Sequence, residues 1–286
     1  MYVWKQLSPS IAHQLATGPA FGMTDTGTVR PSNEDNFLID PTLGLLAVAD
    51  GMGGHEAGEI ASSDALIAVS QFIRARADNN ADDAAPNFQP SIYDPARLDP
   101  DVDWTDASYD AMITLHDAIE YANQRMYQTN VENRKGAGGG MGTTLTGIWQ
   151  PQSDGPALVF HVGDSRLYRM RAGQLDQLTQ DQTLYQSVYE SGIRTNLPPR
   201  NLLLQALGPA PAIKPELQAS PVAPGDLYLL CSDGLHGTVS DAKIADVMAT
   251  ALPADLGASC AELIEMAKMG GSRDNITVLL FQCQAG

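Results

Sequence analysis

Short apolar runs that stop at an acidic residue recur along this chain. The first covers residues 45–49, contains no turn residue and ends at Asp50-Gly51, which predicts a buried strand that ends in a carboxylate. Such a charge is costly to bury without a partner, and glycine lets its carbonyl approach a ligand closely. A bound cation is the simplest partner for this pair. Taken alone, an ordinary Asp turn before a helix explains the segment equally well.

Four further segments repeat this pairing of an apolar run with a carboxylate. In two of them the carboxylate follows the run, and in the other two it precedes the run: Asp164, Asp233, Asp274 and the pair Glu34-Asp35. Because strand ends that are far apart in sequence can converge in a layered fold, these carboxylates predict a metal site.

The neighbouring residues Glu34 and Asp35 point to opposite faces if the segment is a strand. One is therefore expected to be a metal ligand and the other to support the site from behind. Arg30 lies on the same side as Glu34 in an extended segment, and an arginine among carboxylates suggests an anion held beside metal ions.

Apolar periodicity predicts the rest of the secondary structure. Helices are predicted at 57–76, around residues 112–126, and near 183–191, 240–250 and 257–269, and strands at 226–232 and 276–283. Edge strands are predicted within 1–29, and strands 157–163, 165–170 and 174–178 predict an antiparallel meander because the turns between them are short. We therefore expect an α+β fold, an α-β-β-α sandwich of two mainly antiparallel sheets flanked by helices, in a single domain over residues 1–286.

Two segments interrupt this regular pattern. Residues 77–106 combine many aspartates with prolines, which predicts an exposed acidic insertion. Residues 180–200 are polar and irregular and could form a flap beside the site. The glycine-rich run 136–144 lacks the lysine of a nucleotide-binding P-loop and precedes a strand, so we interpret it as a turn.

The charge and cysteine content of the chain indicate which kinds of binding partner and which cellular compartment to expect. The 286 residues carry a net charge of -17, which argues against nucleic acid or an anionic membrane as partner. The three cysteines are widely spaced, which indicates buried thiols in a reducing compartment. We see no signal peptide and no apolar run near the roughly 20 residues that span a bilayer. The expectation is a cytoplasmic, monomeric protein.

The donor types indicate which metal the site would hold. Carboxylates and a backbone carbonyl, without clustered Cys or His, favour Mn²⁺ or Mg²⁺ over Zn²⁺. Several carboxylates around a shared Asp suggest two ions that activate a bridging water, and a nearby arginine would grip a phosphate. Such a site hydrolyses phosphate esters.

Six short motifs, in this order, resemble the metal-dependent protein phosphatases of the 2C type, bacterial branch. They span about residues 22–283: Arg30-x-x-x-Glu34-Asp35, Asp50-Gly51-Met52-Gly53-Gly54-His55, Gly142-Thr143-Thr144, Gly163-Asp164-Ser165-Arg166, Ser232-Asp233-Gly234 and Arg273-Asp274-Asn275. The resemblance implies a central β-sandwich flanked by helices. It also implies Mg²⁺- or Mn²⁺-dependent hydrolysis of phosphoserine and phosphothreonine in proteins, opposing a bacterial Ser/Thr kinase.

The resemblance also implies a role for each site residue. Asp50 would bridge two metals, with Asp233 and Asp274 on one ion and Glu34 and the Gly51 carbonyl on the other. Asp35 would hold a metal-bound water, Arg30 would bind the substrate phosphate, and Asp164, with Asp233, would serve a third, weaker metal site.

The chain departs from the family pattern at two places. Eukaryotic members carry His where this chain has Met52, and His55 could act as the acid for the leaving group, orient water or merely pack. Gln182 stands where bacterial relatives often carry His, and that region is the family's flap.

Two other functions remain open at the level of sequence. One is a catalytically weak regulator that binds phosphoproteins, which loss of a metal carboxylate would mark; every such position is intact. The other is a phosphatase of the same fold that acts on small phosphate esters.

Overall fold

The computed structural model describes residues 5–53, 57–78, 106–133 and 140–284. The first half contains β1 (His13–Leu15), β2 (Gly18–Asp25), β3 (Asp35–Asp40), β4 (Leu45–Met52), α1 (Ala57–Ala77), α2 (Asp106–Glu132), β5 (Gly142–Thr143) and β6 (Leu145–Trp149). The second half contains β7 (Ala157–Val162), β8 (Arg166–Arg171), β9 (Gln174–Gln177), α3 (Leu184–Glu190), β10 (Glu216–Ser220), β11 (Leu227–Cys231), α4 (Asp233–His236), α5 (Asp241–Thr250), α6 (Leu256–Met269) and β12 (Ile276–Gln282).

Two antiparallel sheets form the centre of the fold. The first has the order β1-β2-β12-β11-β8-β9, and the second has the order β10-β7-β6-β4-β3, with β5 paired to the end of β4. One apolar core lies between the sheets, a second between the second sheet and helices α1 and α2, and a third between the first sheet and helices α5 and α6. The predicted α-β-β-α sandwich is confirmed.

This layering explains why the apolar runs are uninterrupted. Alternate residues of a strand point to opposite faces, and in β4 both faces are covered. Leu45, Ala47 and Ala49 pack against the helices, whereas Leu46 and Val48 pack between the sheets. A strand buried on both faces then ends at Asp50, where the core stops.

The predicted meander over 157–178 is wrong in its first step. β7 pairs with β6 and β10 in the second sheet, whereas β8 pairs with β9 and β11 in the first. The chain crosses between the sheets at Gly163, which has φ of +109°, a conformation that favours glycine. This crossing places Asp164 between the two sheets' strand ends.

Other expectations differ only at the edges of the sheets. Of the two N-terminal strands, β1 is an edge strand but β2 lies inside its sheet, paired with β12. Strand β10 was not predicted, because only two of its five residues are buried and its apolar signal is weak. The five predicted helices correspond to α1, α2, α3, α5 and α6. Most of the predicted insertion, and His55, lie outside the described residues.

Within the described ranges, no single helix has both the length and the apolar composition to cross a bilayer. Helices α5 and α6 reach that composition only together, across a 104° bend.

Candidate metal centre

Asp50 lies at the centre of the site, at the end of β4. Its amide donates to Thr144 Oγ1 at 2.9 Å, and its carbonyl accepts from the Thr144 amide and from Thr143 Oγ1, both at 2.9 Å. The backbone of Asp50 is therefore held by the Gly142-Thr143-Thr144 turn. Sequence reasoning identified this turn as a motif but did not assign it this role.

Glu34 and the Gly51 carbonyl converge above the start of α1. A Cβ atom added to Gly58 would lie 2.9 Å from both Glu34 Oε1 and Gly51 O. Gly58 therefore leaves room for a carboxylate and a carbonyl to approach one point. These are the two groups that the resemblance assigns to one ion.

Asp35, the first residue of β3, is buried. It faces Asp50 in the β3–β4 register, and its Oδ2 accepts from Ser232 Oγ and Thr277 Oγ1, both at 2.7 Å. Both hydroxyls belong to the opposite sheet or its end, so Asp35 joins the two sheets directly beneath the site. Ser232 and Thr277 had not been given this role from the sequence.

Asp274 meets the Arg30–Glu34 loop. Arg30 Nη2 lies 2.6 Å from Asp274 Oδ2, and the next residue, Asn275, accepts from the Glu34 amide at 2.8 Å. The side-chain Nδ2 of Asn275 also donates to the carbonyls of Thr26 and Ser32 at 3.0 and 2.9 Å. Asn275 therefore holds the loop that carries Arg30 and Glu34. The Arg273-Asp274-Asn275 motif in the sequence did not indicate this role.

Asp233 opens the short helix α4, directly after β11. Its Oδ1 is buried and has no hydrogen-bond partner among the described residues. A Cβ on Gly234 would lie 1.8 Å from the Asn275 carbonyl oxygen, so glycine is required for α4 to approach the Asp274 turn. A buried carboxylate oxygen without a donor is a position that a cation would satisfy.

Asp164 approaches from the crossing between the sheets. The preceding Gly163 donates to Gln182 Oε1 at 2.9 Å and accepts from the Gln182 amide at 2.8 Å. The Asp164 carbonyl accepts from His236 Nε2 at 3.0 Å. Gln182 therefore ties the first turn of the 180–200 segment to the loop of Asp164.

Burial raises the pKa values of the carboxylates, and their mutual repulsion raises them further. The pKa of Asp35 rises to about 7, that of Asp233 to about 6 and that of Asp164 to about 8, while that of Asp50 lies well above its usual range. Asp50 is affected by the charges of four other carboxylates: Asp35, Asp233, Asp164 and Asp274. The predicted ligands thus gather at one end of the sandwich.

The gathered carboxylates do not form a closed ligand set. Within the described ranges, no group of three or more Asp, Glu, His or Cys side chains is arranged to hold an ion, and Arg30 engages Asp274 directly. Their mutual electrostatic influence nevertheless shows that they share one region. The oxygen-only donors, the unsatisfied Asp233 oxygen and the space above Gly58 fit a hard divalent cation.

A cavity of about 650 Å³ lies elsewhere, at the edge of the sandwich between β7, the end of β9 and β10. None of the predicted site residues lines it. The candidate metal centre is therefore distinct from this cavity.

An α-β-β-α sandwich with carboxylates gathered at one end of its two sheets is the architecture of protein phosphatase 2C. The chain belongs to this family: the family's sequence model, described as protein phosphatase 2C, matches residues 30–265. The resemblance seen in the six motifs is thereby confirmed.

Curated relatives come from several bacteria. Serine/threonine protein phosphatase PstP of Mycobacterium tuberculosis is 35% identical over 90% of this chain, which spans 43% of that protein. A putative protein phosphatase 2C-type of Streptococcus pyogenes is 30% identical over 90% of this chain and 94% of its own length.

Solved structures of bacterial serine/threonine phosphatases share the fold of this chain. The crystal structure of Mycobacterium tuberculosis PstP/Ppp superposes with a TM-score of 0.72 at 32% identity, covering 93% of this chain and 98% of that one. The catalytic domain of PstP in complex with two manganese ions has a TM-score of 0.68 at 33% identity, with the same coverage.

Proposed function

We propose that this protein hydrolyses phosphoserine and phosphothreonine in proteins, in a reaction that requires Mn²⁺ or Mg²⁺. The supporting observation is the convergence of Asp50, Asp164, Asp233 and Asp274 beside the guanidinium of Arg30, together with the raised carboxyl pKa values of Asp50, Asp164 and Asp233. The relatives named as serine/threonine phosphatases support this choice of substrate. A Ser/Thr kinase and its substrates would be the cellular partners of a cytoplasmic monomer.

Each predicted ligand has a place in this proposal. Glu34 and the Gly51 carbonyl would hold one ion, Asp233 and Asp274 a second, with Asp50 shared, and Asp164 would serve a third. Bound ions would neutralise the carboxylates and lower the pKa of water, which supplies a nucleophile near neutral pH.

Arg30 would bind and orient the phosphate. Its side chain is 46% exposed and is anchored to Asp274 through a single nitrogen, Nη2. The outward part of the guanidinium can therefore donate to phosphate oxygens, a geometry that suits arginine better than lysine. Asp35 would keep the two sheets in register below the ions. His55 remains the candidate acid for the leaving group.

The test is phosphate release from a phosphothreonine peptide with Mn²⁺, with Mg²⁺ and with EDTA. We expect release with either metal and none with EDTA, and Asp50→Asn should lower kcat at least 100-fold, or about 3 kcal/mol of barrier. Asp246→Asn, an exposed carboxylate on α5, is the matched control and should leave the rate unchanged.

Three outcomes would contradict the proposal. Near-normal turnover of Asp50→Asn with Mn²⁺ would refute the assignment of a shared carboxylate. Faster hydrolysis of sugar phosphates than of the phosphopeptide would favour a small-molecule phosphatase, and binding of the phosphopeptide without turnover would favour a regulator.

A further inference from the structure

The segment 184–204 carries a concentration of exposed apolar side chains. Ten large apolar side chains are exposed in the described residues, and half of them lie here: Leu184, Tyr189, Ile193, Leu202 and Leu204. Helix α3 buries none of its residues. Exposed apolar clusters of this kind mark interaction surfaces.

Two arginines are fixed on the tyrosines of this segment. The rings of Tyr185 and Tyr189 stack one helical turn apart, with centroids 6.1 Å apart. The guanidinium carbon of Arg194 lies 3.8 Å from the centre of the Tyr189 ring, and that of Arg200 lies 4.3 Å from the centre of the Tyr185 ring. We call these four residues the docking face. Stacking on the rings orders the two cations before any ligand arrives.

The two arginines of the docking face donate to neutral oxygens of their own segment: Arg194 to the Tyr189 and Ile193 carbonyls, and Arg200 to the Tyr185 hydroxyl. Among the described residues, neither Arg194 nor Arg200 forms an ion pair with a carboxylate, whereas seven other basic residues do: Arg30, Arg74, Arg125, Arg166, Arg169, Arg171 and Lys268. The nearby Glu190 instead accepts from the Gln186 amide at 2.7 Å. Five other described basic residues also lack such a pair: Lys5, Arg76, Lys214, Lys243 and Arg273. Arg194 and Arg200 differ because both lie in one segment and stack on its tyrosines, on a chain with a net charge of -17.

The docking face is attached directly to the metal centre. Gln182 pairs with Gly163, the residue before Asp164, and three residues of extended chain from Gln182 to Tyr185 cover at most about 10 Å. On the return side, Leu207 pairs with Thr143, which pairs with Gly51. A polypeptide bound at the site is therefore within reach of this face.

We propose that the docking face binds a segment of the phosphoprotein substrate that flanks the phosphorylated residue and contains acidic and apolar side chains. The two arginines of the docking face would pair with its carboxylates. The exposed apolar side chains of the same segment would cover its apolar residue: Leu184, Ile193, Leu202 and Leu204. This inference rests on the proposed phosphatase activity and names the class of substrate that the site prefers.

Charge decides between this occupant and a second copy of the chain. A copy would bring a net charge of -17 against an equal charge, and that repulsion opposes association. A short segment brings only its own few carboxylates to the two arginines. A flanking segment of substrate is therefore the better complement.

The experiment compares two phosphothreonine peptides that differ only in the flank. One carries Asp and Leu residues beside the phosphothreonine, and the other carries Asn and Ser at the same positions. Their kcat/KM values are measured with Mn²⁺ for the wild type, for Arg194→Gln/Arg200→Gln and for the control Arg76→Gln/Lys243→Gln, which removes two exposed cations elsewhere. p-Nitrophenyl phosphate serves as the substrate without a flank.

We expect the wild type and the control to prefer the acidic peptide by about tenfold, mainly through KM, and the preference to shrink as ionic strength rises. The Arg194→Gln/Arg200→Gln variant should lose that preference but keep its rate on p-nitrophenyl phosphate. Arg194→Lys/Arg200→Lys should recover only part of it, because lysine keeps the charge but not the planar stacking.

Three results would overturn the inference. Equal kcat/KM values for both peptides in an active wild type would refute it and leave the phosphatase proposal standing. An equal loss in the control variant would assign the preference to overall charge. A dimer in sedimentation that the double variant abolishes would assign the face to a second copy. Absence of turnover on every substrate would instead count against the phosphatase proposal.

Discussion

At the residue scale, the site consists of carboxylates whose ionisation opposes folding in the absence of metal. Asp233 illustrates the effect: burial first, and then the charge of Asp274, raises its pKa from 3.8 to about 6. A carboxyl group with a raised pKa in the folded state destabilises the fold as the pH rises through that range, because the unfolded chain ionises more readily. Metal ions would reverse this sign.

Asp233→Asn should therefore stabilise the metal-free protein at high pH. In EDTA at pH 8, we expect its free energy of unfolding to exceed that of the wild type by about 1–3 kcal/mol. The difference should shrink as the pH falls through about 6 and vanish near 3.8. Urea denaturation across this pH range measures it.

Addition of Mn²⁺ should invert the order, because only the wild type keeps the complete ligand set. Asp246→Asn should follow the wild type in both conditions. If Asp233→Asn were no more stable than the wild type in EDTA at pH 8, the carboxylates would not repel one another as the structure indicates.

The sequence motifs predict the acidic residues of the site but not the residues that hold them in place. The acidic residues stand out because each ends or precedes an apolar run, a local signal. Asn275 and Thr144 hold Glu34 and Asp50 in place through hydrogen bonds to residues 241 and 94 positions away. Contacts at such separations have no local signature, so the motif letters alone could not assign these supporting roles.

At the scale of elements, the first turn of α1 shapes one half of the metal centre. Glycine in a helix costs roughly 0.5–1 kcal/mol relative to alanine. Glycine is nevertheless needed at position 58, because a Cβ there would lie 2.7 Å from the Glu34 carboxyl carbon. Glycine at this position makes room for the Glu34 carboxyl group at the expense of helix stability.

Gly58→Ala should weaken metal binding and leave the fold intact. We expect the Mn²⁺ concentration for half-maximal activity to rise about tenfold, equivalent to about 1.4 kcal/mol, because Glu34 and the Gly51 carbonyl must both move. The free energy of unfolding in EDTA should change by less than about 1 kcal/mol, since the added methyl also favours the helix.

Gly257→Ala in α6 provides the control for this substitution. The three atoms nearest to a Cβ there belong to the ring of Phe21, at 3.1 to 3.4 Å, and none belongs to a predicted ligand. It should leave the Mn²⁺ dependence unchanged. An equal Mn²⁺ dependence for Gly58→Ala and the wild type would show that Glu34 does not bind metal above Gly58.

At the scale of the whole molecule, the two sheets must stay in register for the site to exist. Glu34, Asp35 and Asp50 belong to the second sheet or its edge, whereas Asp233 and Asp274 follow or precede strands of the first. The core between the sheets, and the Asp35 hydrogen bonds across it, maintain their separation.

Leu279→Ala should loosen this inter-sheet core. Leu279 is fully buried between the sheets, so its truncation is expected to lower the free energy of unfolding by about 2–5 kcal/mol through lost burial and a cavity. Urea denaturation measures the loss, and saturating Mn²⁺ should recover part of it by binding the folded state.

Leu252→Ala is the matched control, since this leucine is 64% exposed. Its effect should stay within about 0.5 kcal/mol. A loss below about 1 kcal/mol for Leu279→Ala would mean that the inter-sheet core contributes little to the alignment of the two halves of the site.

Local patterns were sufficient to predict most helices and central strands, the α-β-β-α class and the acidic positions, because burial on one or both faces leaves its period in the sequence. The way that strands combine into sheets was decided in three dimensions. The crossing at Gly163 separates β7 from β8 although only three residues divide them. Each strand pairs with a partner distant in sequence, β7 with β10 and β8 with β11, and the short turn between them carries no sign of that choice. The assembly of Asp50, Asp164, Asp233 and Asp274 likewise arises only when both sheets stack, since packing and not proximity along the chain brings strand ends together.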